Sequence, residues 1–356
     1  MTAATSKRIS YIDIAKFIGI FLIVLGHMLR RGQVLSVLIT AGVPLFFFLS
    51  GVTYHYTDQK LNFWKKKFMT LVIPYLFAGL VSIIIFTLLG SFAGSRLNVS
   101  IRSTDLLPNL GGLLYANSKT QYMKWNNSLW FIPCLFCVLI LTDLLETVLK
   151  HSAPGHPLPI RILSIIICTA LGKYLVLSGI HLPWQMETAL NVFLFTECGV
   201  IFQQHFLPNM QENSLPRRKA SLLMAVPFLL AGIVCCMING KVSIRTDEYA
   251  FYPLFLLSAF TCIPGILLLS IAIRNCRALE FAGQRTLPIL MWNKFPILLF
   301  QTIVPFTSTV LARVDTPEAF LCAVLPSVLS LLLCLLCGII QEKLLPLTVG
   351  KGSVAK

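Results

Sequence analysis

The chain has 356 residues, 56% of them hydrophobic and 12% charged, and a mean hydropathy of +0.80. Soluble domains carry about 25% charged residues, so the composition excludes a water-soluble globular protein and predicts an all-α polytopic membrane protein. Lys and Arg number 29 against 14 Asp and Glu, a net charge of +15. Such a balance suits nucleic acid, anionic lipid or an anionic substrate, and the placement of the cations in loops favours the lipid bilayer over nucleic acid.

The polar lead "MTAATSKRIS" runs into Ile9 to Leu29 without a small-residue cleavage site, which predicts a retained anchor rather than a cleaved signal. Apolar stretches of about 20 residues cross a bilayer as helices. Ten are read, at 11–29, 34–53, 70–90, 129–149, 160–178, 188–203, 220–238, 251–273, 287–308 and 318–340. With the N-terminus inside, inner segments hold seventeen Lys and Arg, among them Lys7, Arg161 and Lys356, and outer segments nine, among them Arg30, Arg31, Arg96 and Arg102. Cytoplasmic segments carry the excess of cations, so both termini are expected in the cytoplasm. One long outer connection, Ser91 to Ser128, holds Gly111, Gly112 and aromatics that would pack over the bundle. One membrane domain, residues 1–356, accounts for the chain, with no internal repeat.

Two weaker patterns carry less. "NVS" at Asn98 and "NNS" at Asn126 match a glycosylation sequon that matters only in a eukaryotic secretory pathway. Most of the 11 cysteines, including Cys134, Cys137, Cys334 and Cys337, fall inside apolar segments and read as small packing residues. "CLFC" and "CLLC" have the spacing of half a zinc site, but no histidine accompanies them, so no metal is expected.

The first span, "YIDIAKFIGIFLIVLGH", carries Asp13, Lys16 and His27. At about 100° per residue, Lys16 and His27 lie within about 20° of one face and roughly 16 Å apart along the axis. Asp13 is an i, i+3 neighbour of Lys16. A plainer account has Asp13 and Lys16 pairing at the interface, the lysine stem snorkelling, and His27 capping the helix. The aligned stripe favours a face turned to the bundle interior or a wet cavity, with histidine suited to general-base work.

"GVPLFFFLSGVTYHY" then places Ser50 and Gly51 where helices can approach closely. In "FWKKKFMTLVIPYL", Lys65, Lys66 and Lys67 are either an orientation and lipid signal or a clamp for the phosphates of a cytosolic cofactor. "NNSLWFIP" offers Trp130 at the outer interface, and "LPWQMETALNVFLFTECG" offers Trp184 and Glu187 at an outer boundary. Glu197 lies deep in the sixth span, where it would neutralise a lysine of the bundle or handle protons.

Together these stretches resemble the acyltransferase 3 family of bacterial membrane O-acyltransferases, in particular its branch related to fucose 4-O-acetylases. "IDIAKFIGIFLIVLGH" is similar to the family's opening motif, with Lys16 in place of the commoner arginine and His27 at the family spacing. "PLFFFLSG", "IPYL", "SLWFIP", "LPWQMETAL", "NGKVSIRTDEYAFYPLFLLSA" and "FAGQRTLPILMWNKF" resemble later landmarks in family order. Two departures stand out: lysines ending at Lys67 replace an arginine pair, and Asn293 stands where a histidine often follows.

The resemblance implies transfer of an acyl group, usually acetyl from cytosolic acetyl-CoA, to a hydroxyl of an extracytoplasmic or lipid-linked saccharide. It places the protein in the bacterial inner (plasma) membrane, without a metal. His27 would be the base or prime an acyl relay, Asp13 and Lys16 would hold the inner pathway, and Lys65, Lys66 and Lys67 would attract the CoA phosphates. Trp130, Trp184, Asn239, Arg245 and Glu197 would serve the acceptor. A transporter or flippase would use Asp13, Lys16, His27 and Glu197 as a proton or substrate path, but inverted repeats and paired broken helices are not read in the sequence. The membrane part of a sensor or amino-acid racemase would bring a fused soluble domain, and no segment here reads as one.

Overall fold

The structure, a computed structural model, describes residues 8–29, 32–93, 105–119, 123–151, 157–207, 215–302 and 304–351. The sequon at Asn98 and the cations Lys7, Arg30, Arg31, Arg96, Arg102 and Lys356 lie outside the described residues.

The described chain is almost wholly helical. Helices α1 (Ser10–Leu29), α2 (Gln33–Val52), α3 (Lys60–Lys67) and α4 (Ile73–Ala93) come first, followed by a short helix α5 (Leu106–Tyr115). Then follow α6 (Phe131–His151), α7 (Pro157–Leu177), α8 (Met186–His205), α9 (Leu215–Asn239) and α10 (Tyr252–Ile273). The last are α11 (Arg277–Gly283), α12 (Thr286–Trp292), α13 (Lys294–Thr302), α14 (Pro305–Leu311) and α15 (Pro317–Leu344). One departure from all-α is a two-residue hairpin, β1 (Val242–Ser243) antiparallel to β2 (Glu248–Tyr249), with Val242 opposite Tyr249. The end of the bundle that holds the start of α1 is called the inner face.

Among the described residues, eight segments are long and apolar enough to span a membrane, against the ten expected from sequence. The expected sixth span is α8, a 20-residue helix whose core positions Glu187, Thr188, Asn191, Thr196 and Glu197 are polar and fully buried. Its partners are other helices rather than lipid, so its hydropathy is low although its length is right. The expected ninth span is a broken helix, interrupted at Asn293 and again before Pro305, and it runs as α12, α13 and α14. The sequence reading contained no such break.

Helices α1, α2 and α6 sit at the centre, each two-thirds buried along its apolar window, whereas α7 and α9 are 11% and 22% buried and face outward. Lipid tails are as apolar as leucine, so close packing rather than water exclusion holds these centres together. Small residues make the contacts. A Cβ at Gly51 would lie 1.9 Å from the Thr196 carbonyl oxygen, and one at Gly199 would lie 2.0 Å from that of Phe48, so α2 and α8 touch backbone to backbone. At the inner end, a Cβ at Gly283 would lie 1.8 Å from the Asp13 carbonyl oxygen, which presses α11 onto α1.

Two expectations about charge are corrected inside this bundle. Arg161, counted with the inner loop, is 4% exposed, and its guanidinium donates to both Glu146 and Glu197. Glu197 is therefore held by an arginine and not by a lysine. Asp143, which the sequence reading did not single out, is also buried, and it accepts from Tyr54 at 2.8 Å, Lys60 at 2.9 Å and Trp64 at 2.9 Å. These contacts pin α3 to α6. The outer connection behaves as expected where it is described: α5 lies over α4, with the Tyr75 hydroxyl donating to the Leu113 carbonyl at 2.8 Å.

Candidate active site

A cavity of about 910 Å³ opens at the inner face. Its mouth is polar and largely cationic, with Asp13, Lys16, His55, Lys67, Thr70 and Arg274 around it. Asp13 faces Lys16 at 3.5 Å and accepts from Gln284 Nε2 at 3.1 Å, so Gln284 of the α11–α12 turn and Lys16 hold its two oxygens. Thr70 lies in the single turn Phe68–Val72, wound more widely than an α-helix, between α3 and α4. Such one-turn bulges recur at functional sites because they re-aim a side chain without ending the helix. Of the three lysines, Lys67 alone lines the cavity; Lys65 and Lys66 are exposed and are not part of its lining.

Deeper in, the lining turns apolar, with Ile20, Ile23, Phe46, Leu135 and Leu290 leading to Phe131. On α1 the lining follows Asp13, Lys16, Ile20 and Ile23, the inward stripe read from the sequence, and the next position on that stripe is His27. The cavity lining ends one helical turn short of it. Phe131 is among the aromatic residues of this lining, its ring 4.9 Å from that of Phe47, 5.9 Å from Phe46 and 6.0 Å from Trp130.

His27 is half-buried. Its Nε2 is 3.3 Å from the Ser128 hydroxyl, which donates to Asn293 Oδ1 at 3.3 Å. Asn293 in turn donates from Nδ2 to the Leu290 carbonyl at 2.8 Å. Gln301 Nε2 bonds the His27 and Met28 carbonyls at 2.8 and 2.9 Å, so the freed end of α1 is held by the broken helix rather than capped by the imidazole. Lys294 and Arg245 are the cations whose fields reach His27.

A second, small cavity of about 30 Å³ lies on the outer side, lined by Tyr75, Ala116, Asn117, Asn126, Asn127 and Trp130 among others. Asn126 is 0% exposed, and its Nδ2 donates to Ser82 Oγ at 2.9 Å and to the Met291 carbonyl at 3.2 Å. Its burial rules it out as a glycosylation site. A buried carbonyl without a partner costs about 1–3 kcal/mol, and among the described residues neither Asn126 Oδ1 nor Asn127 Oδ1 finds one.

Outside this pocket sits an ionic layer. Lys119 faces Asp247 at 3.3 Å and Glu187 at 3.6 Å, while Asp247 accepts from Thr188 at 2.6 Å and Asn191 at 3.0 Å. Burial pushes the Asp247 carboxyl above its ordinary range, with Thr188 and Lys119 pulling it back. The hairpin supplies this geometry, since Asp247 has φ of 56° and turns inward between β1 and β2. It also aims Arg245, whose Nη1 donates to the Ser118 carbonyl at 3.0 Å. Burial lowers the Arg245 guanidinium from its ordinary value without discharging it.

The structure thus brings Asp13, Lys16 and Lys67 to one cavity, sets His27 on the same stripe, and places Trp130 and Arg245 on the far side. It does not bring the other expected groups there. Trp184 packs under α5, donating from Nε1 to the Leu114 carbonyl at 3.1 Å. Asn239 ends α9 and accepts from the Phe251 amide at 2.9 Å. Glu197 is committed to Arg161 in the inner half of α8 and lines neither cavity. Sequence reasoning missed Ser128, Asn126 and Gln301; "NNSLW" was legible only through its tryptophan and its sequon.

A family model described as an acyltransferase domain, that of the acyltransferase 3 family, matches residues 9–338. No curated protein and no solved structure matches the chain.

Proposed function

Because the chain belongs to the acyltransferase 3 family and is a multi-pass membrane acyltransferase, we propose that it moves an acetyl group from cytosolic acetyl-CoA to a hydroxyl of an extracytoplasmic or lipid-linked saccharide, in the plasma membrane of a bacterial cell. The observation that carries this reading is the cavity that runs from a cationic inner mouth along the Asp13–Lys16–Ile20–Ile23 stripe to one turn from His27.

The donor enters at the inner mouth. Lys67 and Arg274 attract its phosphates as point charge and fork respectively, and the apolar throat takes the thioester arm. The unprotonated ring nitrogen of His27 accepts the proton of the saccharide hydroxyl as that oxygen attacks the thioester carbonyl. The carbon–sulfur bond then breaks, and the imidazolium returns the proton to the departing thiolate. Lys294 and Arg245 offset the negative charge that develops on the carbonyl oxygen. Trp130 offers an aromatic face to the sugar ring.

Two measurements test the proposal. Membranes holding the protein are incubated with radiolabelled acetyl-CoA and the glycan fraction is counted, and surface polysaccharide is weighed by mass spectrometry with and without the gene. The expected result is label in glycan and one acetyl mass per repeat unit. Label confined to free acetate, with identical polysaccharide masses, would refute the saccharide acceptor.

A further inference from the structure

After Leu344, the last residue of α15, the backbone breaks at Leu345, with φ −138° and ψ 63°, and folds back over the short turn Pro346–Val349. The return is closed by the Thr348 amide on the Leu345 carbonyl and the Lys351 amide on the Pro346 carbonyl, each at 2.9 Å. Val349 is buried with the bundle core, so this piece of chain is seated rather than trailing. It lies past the residues that the family model matches.

Its seat is the rim of the inner cavity. On one side Gly350 lies against the wide turn Phe68–Val72, where a Cβ would stand 2.7 Å from the Thr70 carbonyl oxygen and 3.2 Å from its Cα. Gly350 has φ of 71°, a conformation that favours glycine. A single wide turn of this kind is rare in helices, and the Gly350 backbone buttresses it at its middle residue. Thr70 lines the cavity from this side together with Lys67, whose carbonyl accepts from the Thr70 hydroxyl at 3.4 Å. The opposite rim is the α11–α12 turn, with Gln284 and Thr286 in the lining.

Gln341 of α15 joins the two sides. Its Oε1 accepts from Trp292 Nε1 of α12 at 2.7 Å, and its Nε2 donates to the Thr348 hydroxyl at 2.9 Å and to the Thr348 carbonyl at 3.2 Å. Gln341 is 8% exposed, so water does not replace these bonds when they are broken. Glu342 adds an outer tie, pairing with Arg285 at 3.3 Å and with Lys351 at 2.5 Å. These pairs are more exposed and contribute about 0–1 kcal/mol each.

We infer that residues 346–351 are a strap that holds the two rims of the inner mouth at a fixed spacing, with Gly350 and Gln341 as positioning residues for the acyl donor. This rests on the reading that the donor enters at that mouth. Gly350 and Gln341 act on donor affinity through the wide turn and Lys67, and leave the acyl-transfer step itself alone.

The test uses the full chain in lipid nanodiscs. Hydrogen exchange read by mass spectrometry follows the rims at residues 66–74 and 283–290, and equilibrium binding of radiolabelled acetyl-CoA follows the donor site, with thermal unfolding run beside both. Gly350→Ala and Gln341→Leu are expected to speed exchange at the rims and to raise the acetyl-CoA Kd about tenfold, with the rate of CoA release at saturating donor within about twofold. Thr348→Val loses one hydrogen bond and is expected to raise the Kd about threefold, whereas Thr348→Ser keeps the hydroxyl and restores wild-type binding. Should Gly350→Ala fail to fold, Gln341→Leu and the two Thr348 variants decide the matter. A lower unfolding temperature with an unchanged Kd would mean that the turn only packs, and overturns the inference, as does unchanged exchange at both rims. Faster exchange at the rims, in a protein whose wild type binds no acetyl-CoA, keeps the strap and sinks the donor reading instead.

Discussion

His27 Nε2 and Ser128 Oγ meet at 3.3 Å across 101 residues of sequence, and the same hydroxyl is tied to Asn293 on the broken helix. The imidazole is thereby positioned by two elements besides its own. Replacing His27 by Ala removes the base and is expected to lower acyl transfer by about 10² to 10⁴, with insertion and thermal unfolding unchanged. Ser128→Ala loses the hydroxyl's contacts to both His27 and Asn293, each hydrogen bond worth about 0.5–1.5 kcal/mol, and is expected to lower kcat about tenfold at constant donor KM. Labelling assays on purified protein measure both, and near-wild-type activity in His27→Ala ends the base role.

The three lysines of the inner cluster separate by geometry. Lys67 lines the cavity while Lys65 and Lys66 are exposed outside its lining. A charged hydrogen bond to a donor phosphate is worth about 1.5–3 kcal/mol, so Lys67→Ala is expected to raise donor KM between about tenfold and a hundredfold. Lys65→Ala and Lys66→Ala should each stay within about twofold, since exposed charges are screened by salt. Equal effects at all three positions would point to a general surface field instead.

The buried triad of Arg161, Glu146 and Glu197 predicts a stability defect without a substrate phenotype. Arg161→Ala strands two carboxylates among helices, and breaking a buried pair costs about 3–5 kcal/mol. Lower yield and a lower unfolding temperature in detergent are expected, with KM values unchanged in whatever protein folds. An Arg161→Ala protein as stable as wild type would remove the triad from the list of supports.

Gly283 predicts a defect at a distance. A Cβ there meets the Asp13 carbonyl at 1.8 Å, backbone against backbone, so Gly283→Ala must part α11 from α1 and shift Asp13 and Gln284 at the mouth. Misplacements of about 1 Å far from the chemistry cost up to about 10²-fold. The expected loss appears in donor kcat/KM, measured by initial rates over a donor series, and unchanged kinetics would show that the mouth tolerates the shift.

Legibility followed the range of each interaction. Asp13, Lys16 and His27 lie on one helix, so their shared face could be counted from the sequence, and three charged or titratable groups in an apolar run drew the eye. Ser128 and Asn293 reach the same place from distant segments, and a serine and an asparagine near span ends carry no signal of their own. Arg161 was misplaced because a cation near a span end reads as loop, whereas two carboxylates, at 146 and 197, draw this one inside. The same buried polar groups lower the hydropathy of α8, which its length and apolar run still mark as a span at 188–203. At α12–α13, Asn293 spends its side chain on Ser128 and the Leu290 carbonyl where an unbroken helix was expected.

The aromatic stack at Phe131 bears on the way between the two cavities. Phe131 lines the inner cavity, and Trp130, its ring 6.0 Å away, borders the outer one, while among the described residues the two share no lining residue. A group that passes from one to the other has to move by these two rings.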